Sequence, residues 1–220
     1  MGWRPNGFAV GVVSAVLIGV TGCSAVGGSA APDYPAGSID AALMNTHDAG
    51  GRIGAALWFR TDAGKPGAAQ TVTPAECQAA ATPASDLVFG NSWTDFRLST
   101  FQENANTWDH SLTQAVGRYE NADRARDAFT KLTQALMTCG DKEIAVLRGA
   151  GAVDSKWRNH IDTSSADTVW WNAEQLDATG WRCYREARLK QAVLLQVALC
   201  QSGNGQPAAT AIADKVAAKL

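Results

Sequence analysis

Residues 181–200 read WRCYREARLKQAVLLQVALC. WRCYREAR (181–188) and VLLQVALC (193–200) both carry the β-branched, aromatic and aliphatic residues of strands, with Leu189–Ala192 between them. A turn centred between Gln191 and Ala192 sets Cys183 opposite Cys200. Directly opposed residues of an antiparallel pair lie about 4.5–5.5 Å apart at Cα, within disulfide reach. One hairpin therefore explains both the strand pattern and two of the cysteines.

The chain has five cysteines: Cys23, Cys77, Cys139, Cys183 and Cys200. The last four allow three pairings, and spacing alone does not choose among them. The hairpin favours Cys183–Cys200 and leaves Cys77 with Cys139. Thr73-Pro74-Ala75-Glu76 reads as a capping box with Pro at the first helical position, which puts Cys77 on a short helix. Cys139 ends a longer one. In NADRARDAFTKLTQALMTCG, Asn121 is the expected N-cap and Gly140 the expected C′ residue. Ala122, Ala125, Phe129, Leu132, Leu136 and Cys139 recur at steps of three and four, so Cys139 points inward.

Other segments extend the sheet. SWTDFRLSTF (92–101) and SLTQAVGRY (111–119) flank the polar stretch ENANTWDH and form a long hairpin. EIAVLR (143–148), KWRNHID (156–162) and DTVWWNA (167–173) continue the series, the last two turning at Thr163–Ala166. The C-terminal PAATAIADKVAAKL sets Ala209, Ile212, Val216 and Leu220 on one helical face. Adjacent hairpins mixed with helices predict an α+β domain, an antiparallel sheet with helices packed mainly on one face.

The N-terminus reads as an export signal. Residues 8–20, FAVGVVSAVLIGV, are an uncharged apolar run, short for a spanning helix and of h-region length. The run ends in Val20-Thr21-Gly22-Cys23, which resembles a bacterial lipobox. The resemblance implies cleavage before Cys23 and a diacylglycerol on its thiol, anchoring the protein to a membrane face. Cys23 is then the unpaired cysteine. Residues 24–38, SAVGGSAAPDYPAGS, carry too few large apolar groups to order themselves. The expected division is a signal peptide at 1–22, a lipidated cysteine and tether at 23–38, and a folded domain at 39–220. Export also places the domain where disulfides persist.

Charge and motifs exclude several functions. Loss of Arg4 with the signal peptide would leave 18 basic against 21 acidic side chains, from 19 and 21 in the whole chain, so nothing argues for nucleic acid. The three histidines, His47, His110 and His160, are scattered, and no CxxC or HExxH accompanies them. No cofactor or metal is expected. There is no GxSxG, and Asp109-His110-Ser111 is adjacency in sequence, which is no evidence for a triad. No enzyme is indicated.

Seven of the eight tryptophans fall in the expected domain, and most of them are expected to be packing. Trp170-Trp171 is informative, because neighbouring strand residues point to opposite faces and both rings cannot enter one core. Gln114 alternates with apolar residues in LTQAV and could present its amide at a pocket floor. Gln114, Trp170, Trp171 and Trp181 are the candidate ligand contacts, with weaker support for Tyr119, Arg182, Tyr184 and Arg185.

The cysteine layout resembles the PknH-like extracellular domain, found as the sensor of a mycobacterial receptor Ser/Thr kinase and in stand-alone mycobacterial lipoproteins. The matching features are PAEC (74–77), SWTDFRL, TQAV (113–116), ALMTCG (135–140), and WRC (181–183) followed by AVLLQVALC (192–200). The resemblance implies the same two disulfides and a ligand-sized cleft for an unidentified envelope ligand, a small molecule, glycan or lipid. Leu136 stands where the family often has Trp, and Lys190-Gln191 where it often has Asn. The expectation is a lipid-anchored sensor-like protein at the outer face of the cell membrane, binding a ligand without turnover. The alternatives are a docking module for an envelope protein, such as a kinase ectodomain, and a hydrolase of envelope material.

Overall fold

The structure, a computed structural model, describes residues 38–220. The expected signal peptide, Cys23 and all of the tether but Ser38 lie outside the described residues. In chain order the elements are α1 (Ile39–Ala42), α2 (Thr46–Ile53), β1 (Phe59–Ala63), β2 (Val72–Thr73), a 3-10 turn (Ala75–Cys77), α3 (Gln78–Ala81) and α4 (Asp86–Phe89). Then come β3 (Trp93–Gln102), β4 (His110–Tyr119), α5 (Ala122–Cys139), β5 (Glu143–Arg148) and β6 (Ala152–Ser164). β7 (Thr168–Gln175), β8 (Trp181–Lys190), β9 (Val193–Ser202) and α6 (Gln206–Ala217) complete the chain.

Among the described residues, nine strands form one antiparallel sheet in the order β1-β3-β4-β9-β8-β7-β6-β5-β2. The β8–β9 hairpin turns at Gln191, whose φ of 52° is left-handed, and its register sets Cys183 against Cys200. Both disulfides are formed: Cys183–Cys200 across the hairpin, and Cys77–Cys139 from the 3-10 turn to the end of α5. The α+β class stands. So does the N-cap of α5, where the Asn121 side chain accepts from the Arg124 N–H at 3.1 Å.

The helices, however, divide between the two faces of the sheet. α3, α4 and α5 cover one face, over Ala115, Ala187, Leu189 and Leu194. α1, α2 and α6 cover the other, over Leu112, Val116, Leu195, Val197 and Leu199. The reason is legible in β9, whose residues Val193–Leu199 are all buried, as in a strand with both faces covered. Two terminal details also differ from expectation. No side chain caps the turn, because its N-cap position falls on Pro74, which has no side-chain acceptor, while Thr73 lies in β2 opposite Ala145 and Glu76 reaches Lys142. Gly140 is extended, with φ −60°, because it enters the sheet beside Asn159, and Asp141 takes the left-handed turn at φ 59°.

Two buried glutamines fasten irregular chain to the sheet. Gln114 accepts from the Met44 N–H at 3.0 Å and donates to the Met44 carbonyl at 3.2 Å, holding the α1–α2 connection on one face. On the opposite face Gln196 accepts from the Ala84 N–H at 2.6 Å and fixes the α3–α4 connection. Each satisfies backbone groups that would otherwise be buried unpaired, a loss of about 1–3 kcal/mol per group.

Candidate functional site

Helix α5 covers only part of its face. On β8, Leu189 and Ala187 lie beneath it, while Arg185 and Cys183, the next residues on that side, face an open cleft. The same change runs along β9, from Leu194 to Ala198 and Cys200, and along β4, from Ala115 to Thr113 and Ser111. On β7 it runs from Trp171 to Ala173 and Gln175. Side chains two apart on a strand share a face, so these are continuous rows that begin as core and end as cleft floor.

The cleft has a volume of about 420 Å³, within the range of small-molecule sites. Across its floor runs one row of paired residues: Asn159, Ala173, Cys183, Cys200 and Ser111. The Cys183–Cys200 disulfide is therefore part of the floor. Trp181, Trp157 and Trp108 line it with aromatic surface, and Ala81 at the end of α3 and Pro83 of the α3–α4 connection line it as well. Trp108 is 40% exposed, and the Trp157 indole N–H is held by Ser155 Oγ at 2.8 Å.

Arg185 is the charged group of the floor. Only 5% exposed, it donates from Nη1 to the carbonyls of Ala80 and Ala81, each at 3.1 Å, at the end of α3. Among the described residues its buried Nε has no hydrogen-bond partner. Burial pushes its pKa down to about 10, so the side chain is still a cation at neutral pH. Asp154 also lines the cleft, and it is paired with Arg148.

Of the four candidate contacts, the structure brings Trp181 alone to the cleft. Gln114 lies on the opposite face and serves Met44. Trp171 is fully buried beneath α5, and Trp170 points to the other face, half-buried. Their opposite placement follows the alternation read from sequence. Tyr119 donates to the Phe89 carbonyl at 2.9 Å, Tyr184 to that of Gly203 at 2.7 Å, and Arg182 pairs with Glu174 at 3.2 Å. None of these three lines the cleft. Sequence reading did not single out Trp108, Trp157 or Asn159. The Cys183–Cys200 register shows which residues of β8 and β9 share the disulfide's face, but these three lie on β6 and in the β3–β4 loop, beyond its reach.

The histidines lie elsewhere: His47 is exposed, His160 sits 3.3 Å from Asp141, and His110 pairs with Glu103. Among the described residues no group of three or more His, Cys, Asp or Glu could hold a metal ion, and no helix is long and apolar enough to cross a membrane. Neither departure from the family pattern lines the cleft. Leu136 is a buried core residue of α5 itself, and Lys190 at the β8–β9 turn donates to the Ala217 carbonyl at 2.8 Å.

A sequence profile of the PknH-like extracellular domain matches residues 34–219. The chain belongs to that family. The solved extracellular domain of PknH from Mycobacterium tuberculosis superposes with a TM-score of 0.72 at 22% identity, covering 86% of this chain and 98% of that one, a likeness of fold. The serine/threonine-protein kinases PknH of Mycobacterium bovis and Mycobacterium tuberculosis are each 29% identical over 151 residues, or 66% of this chain. The chain matches only about a quarter of each kinase, 25% and 24% of their lengths. Family membership agrees with an extracellular or envelope setting.

Proposed function

We propose that this chain is a cell-envelope lipoprotein whose domain binds a ligand in the cleft without chemical turnover. Lipid on Cys23 would hold it at the outer face of the cell membrane. The observation that carries the reading is the cleft itself. One sheet face is covered by α5 over half its length and lined by three tryptophans over the other half. Aromatic walls around a few fixed polar groups suit recognition of a small molecule, a glycan or part of a lipid. The turnover alternative predicts a His within hydrogen-bond reach of a Ser, Asp or Glu in the cleft, and the histidines of the described chain sit outside its lining.

The test is a thermal-shift screen of the oxidised full-length protein against fractionated envelope extract, with Trp181→Ala alongside. A ligand at 100 times its dissociation constant stabilises the folded state by about 2.7 kcal/mol. A fraction that raises the melting temperature of the wild type and not of Trp181→Ala supports the cleft. A fraction acting equally on both contradicts it.

A protein partner is the second reading. Trp58, 82% exposed before β1, lies with Leu57, Ala55 and Ala56 along a shallow apolar groove, and exposed apolar surface of this kind suits docking. A shift given by protein fractions alone, abolished by Trp58→Ala, would favour it.

A further inference from the structure

Strand β8 places two buried charges side by side, and the fold treats them differently. Glu186, fully buried on the α6 face, is paired with Arg188, which also reaches Asp214 of α6 at 2.7 Å. Arg185 faces the cleft, and among the described residues no carboxylate lies within 4 Å of it. The Ala80 and Ala81 carbonyls hold one guanidinium nitrogen in place, but they do not neutralise the charge. Asp154, the one carboxylate on the lining, is engaged by Arg148. A buried charge without a counter-charge is costly, and the fold supplies none here. A guanidinium also presents its N–H groups in a fork that fits carboxylate and phosphate oxygens.

We propose that the cleft takes an anionic sugar, phosphorylated or carboxylated, with its oxyanion on Arg185 and its ring against the tryptophan walls. The inference rests on the cleft being the ligand site, as argued above. Ring faces meet Trp108, Trp157 and Trp181, and Ser111 is placed on the floor for a hydroxyl. The same aromatic walls could surround a quaternary ammonium, but Arg185 would repel it.

The oxidised full-length protein is titrated with glucose 6-phosphate, glucuronate, glucose and choline, following melting temperature. Ligand line broadening in NMR spectra of the wild type is read in parallel, since it needs no variant. The acids are expected to bind at least tenfold more tightly than glucose, with choline inert. Whichever acid binds more tightly identifies the oxyanion as phosphate or carboxylate. Arg185→Gln should weaken acid binding at least tenfold, Arg185→Lys less, and the surface control Arg182→Gln not at all. Arg185→Lys keeps the charge if loss of the Ala80 and Ala81 contacts impairs folding of Arg185→Gln. Failure of both acids to bind overturns the proposal, as does binding that survives in Arg185→Gln. Glucose or choline binding as well as the acids, and lost in Trp181→Ala, overturns the anion claim while leaving the cleft as the site.

Discussion

The two halves of the α5 face are built on the same strands, and they differ in what closes them. In one half Ala115, Ala187, Leu189, Leu194 and Trp171 are sealed by an amphipathic helix. In the other, Ser111, Thr113, Arg185, Ala198 and the Cys183–Cys200 disulfide lie open beneath aromatic walls. Strand alternation alone sets both, so the site is an unsealed continuation of the core. Changes in the covered half should cost stability, and changes in the open half should cost binding.

The largest expected effect is in the covered half. Trp171→Ala removes a fully buried ring and should destabilise by about 3–5 kcal/mol, lowering the melting temperature by roughly 10 °C, read by calorimetry. Next are the cross-links. The chain-entropy model gives about 4 kcal/mol for Cys77–Cys139, which spans 62 residues, and about 3 for Cys183–Cys200, which spans 17. Denaturant unfolding of Cys77→Ser/Cys139→Ser and Cys183→Ser/Cys200→Ser should rank them in that order. Only the second pair alters the cleft floor.

Gln114→Ala tests the comparison from the far face. It strands the Met44 backbone and should cost about 1–3 kcal/mol in denaturant unfolding without changing ligand affinity. Trp181→Ala is its mirror image: about 1 kcal/mol of stability and most of the binding. The smallest effect concerns pH. Burial acts to raise the Glu103 pKa, but hydrogen bonds from the His110 side chain and backbone hold it below its ordinary value. A depressed carboxylate contributes stability that is present above its unfolded pKa and lost as pH falls through the folded one. Glu103→Gln should therefore flatten the acid limb of the stability curve slightly, below about pH 4.5, as melting temperatures at several pH values would show.

Much of the fold could be read from sequence wherever partners are neighbours. The β8–β9 hairpin, the β3–β4 hairpin, α5 and α6 are each declared by local periodicity, and the disulfide pairing follows from them. The elements α1, α2, β1, β2 and α4 were not anticipated. β1 reads FRTDA, without apolar alternation, and its pairing is with β3 far along the chain. The α1–α2 connection is fixed by Gln114, 70 residues away. At the site, alternation correctly separated Trp170 from Trp171, but it could not say which half of a face a helix seals. Trp157 was harder still. The pairing of β6 with β7 shifts register between Ile161 and Thr163, so counting from the hairpin turn assigns residues before the shift to the wrong face.

The most direct test of the open-half claim is hydrogen exchange of the full-length protein, read by mass spectrometry, with and without the active envelope fraction. The account predicts new protection confined to residues 155–159, 181–185 and 196–200, with the Trp171 and Leu189 segments already slow and unchanged. Protection around Trp58 alone, with the cleft strands unaffected, would contradict it.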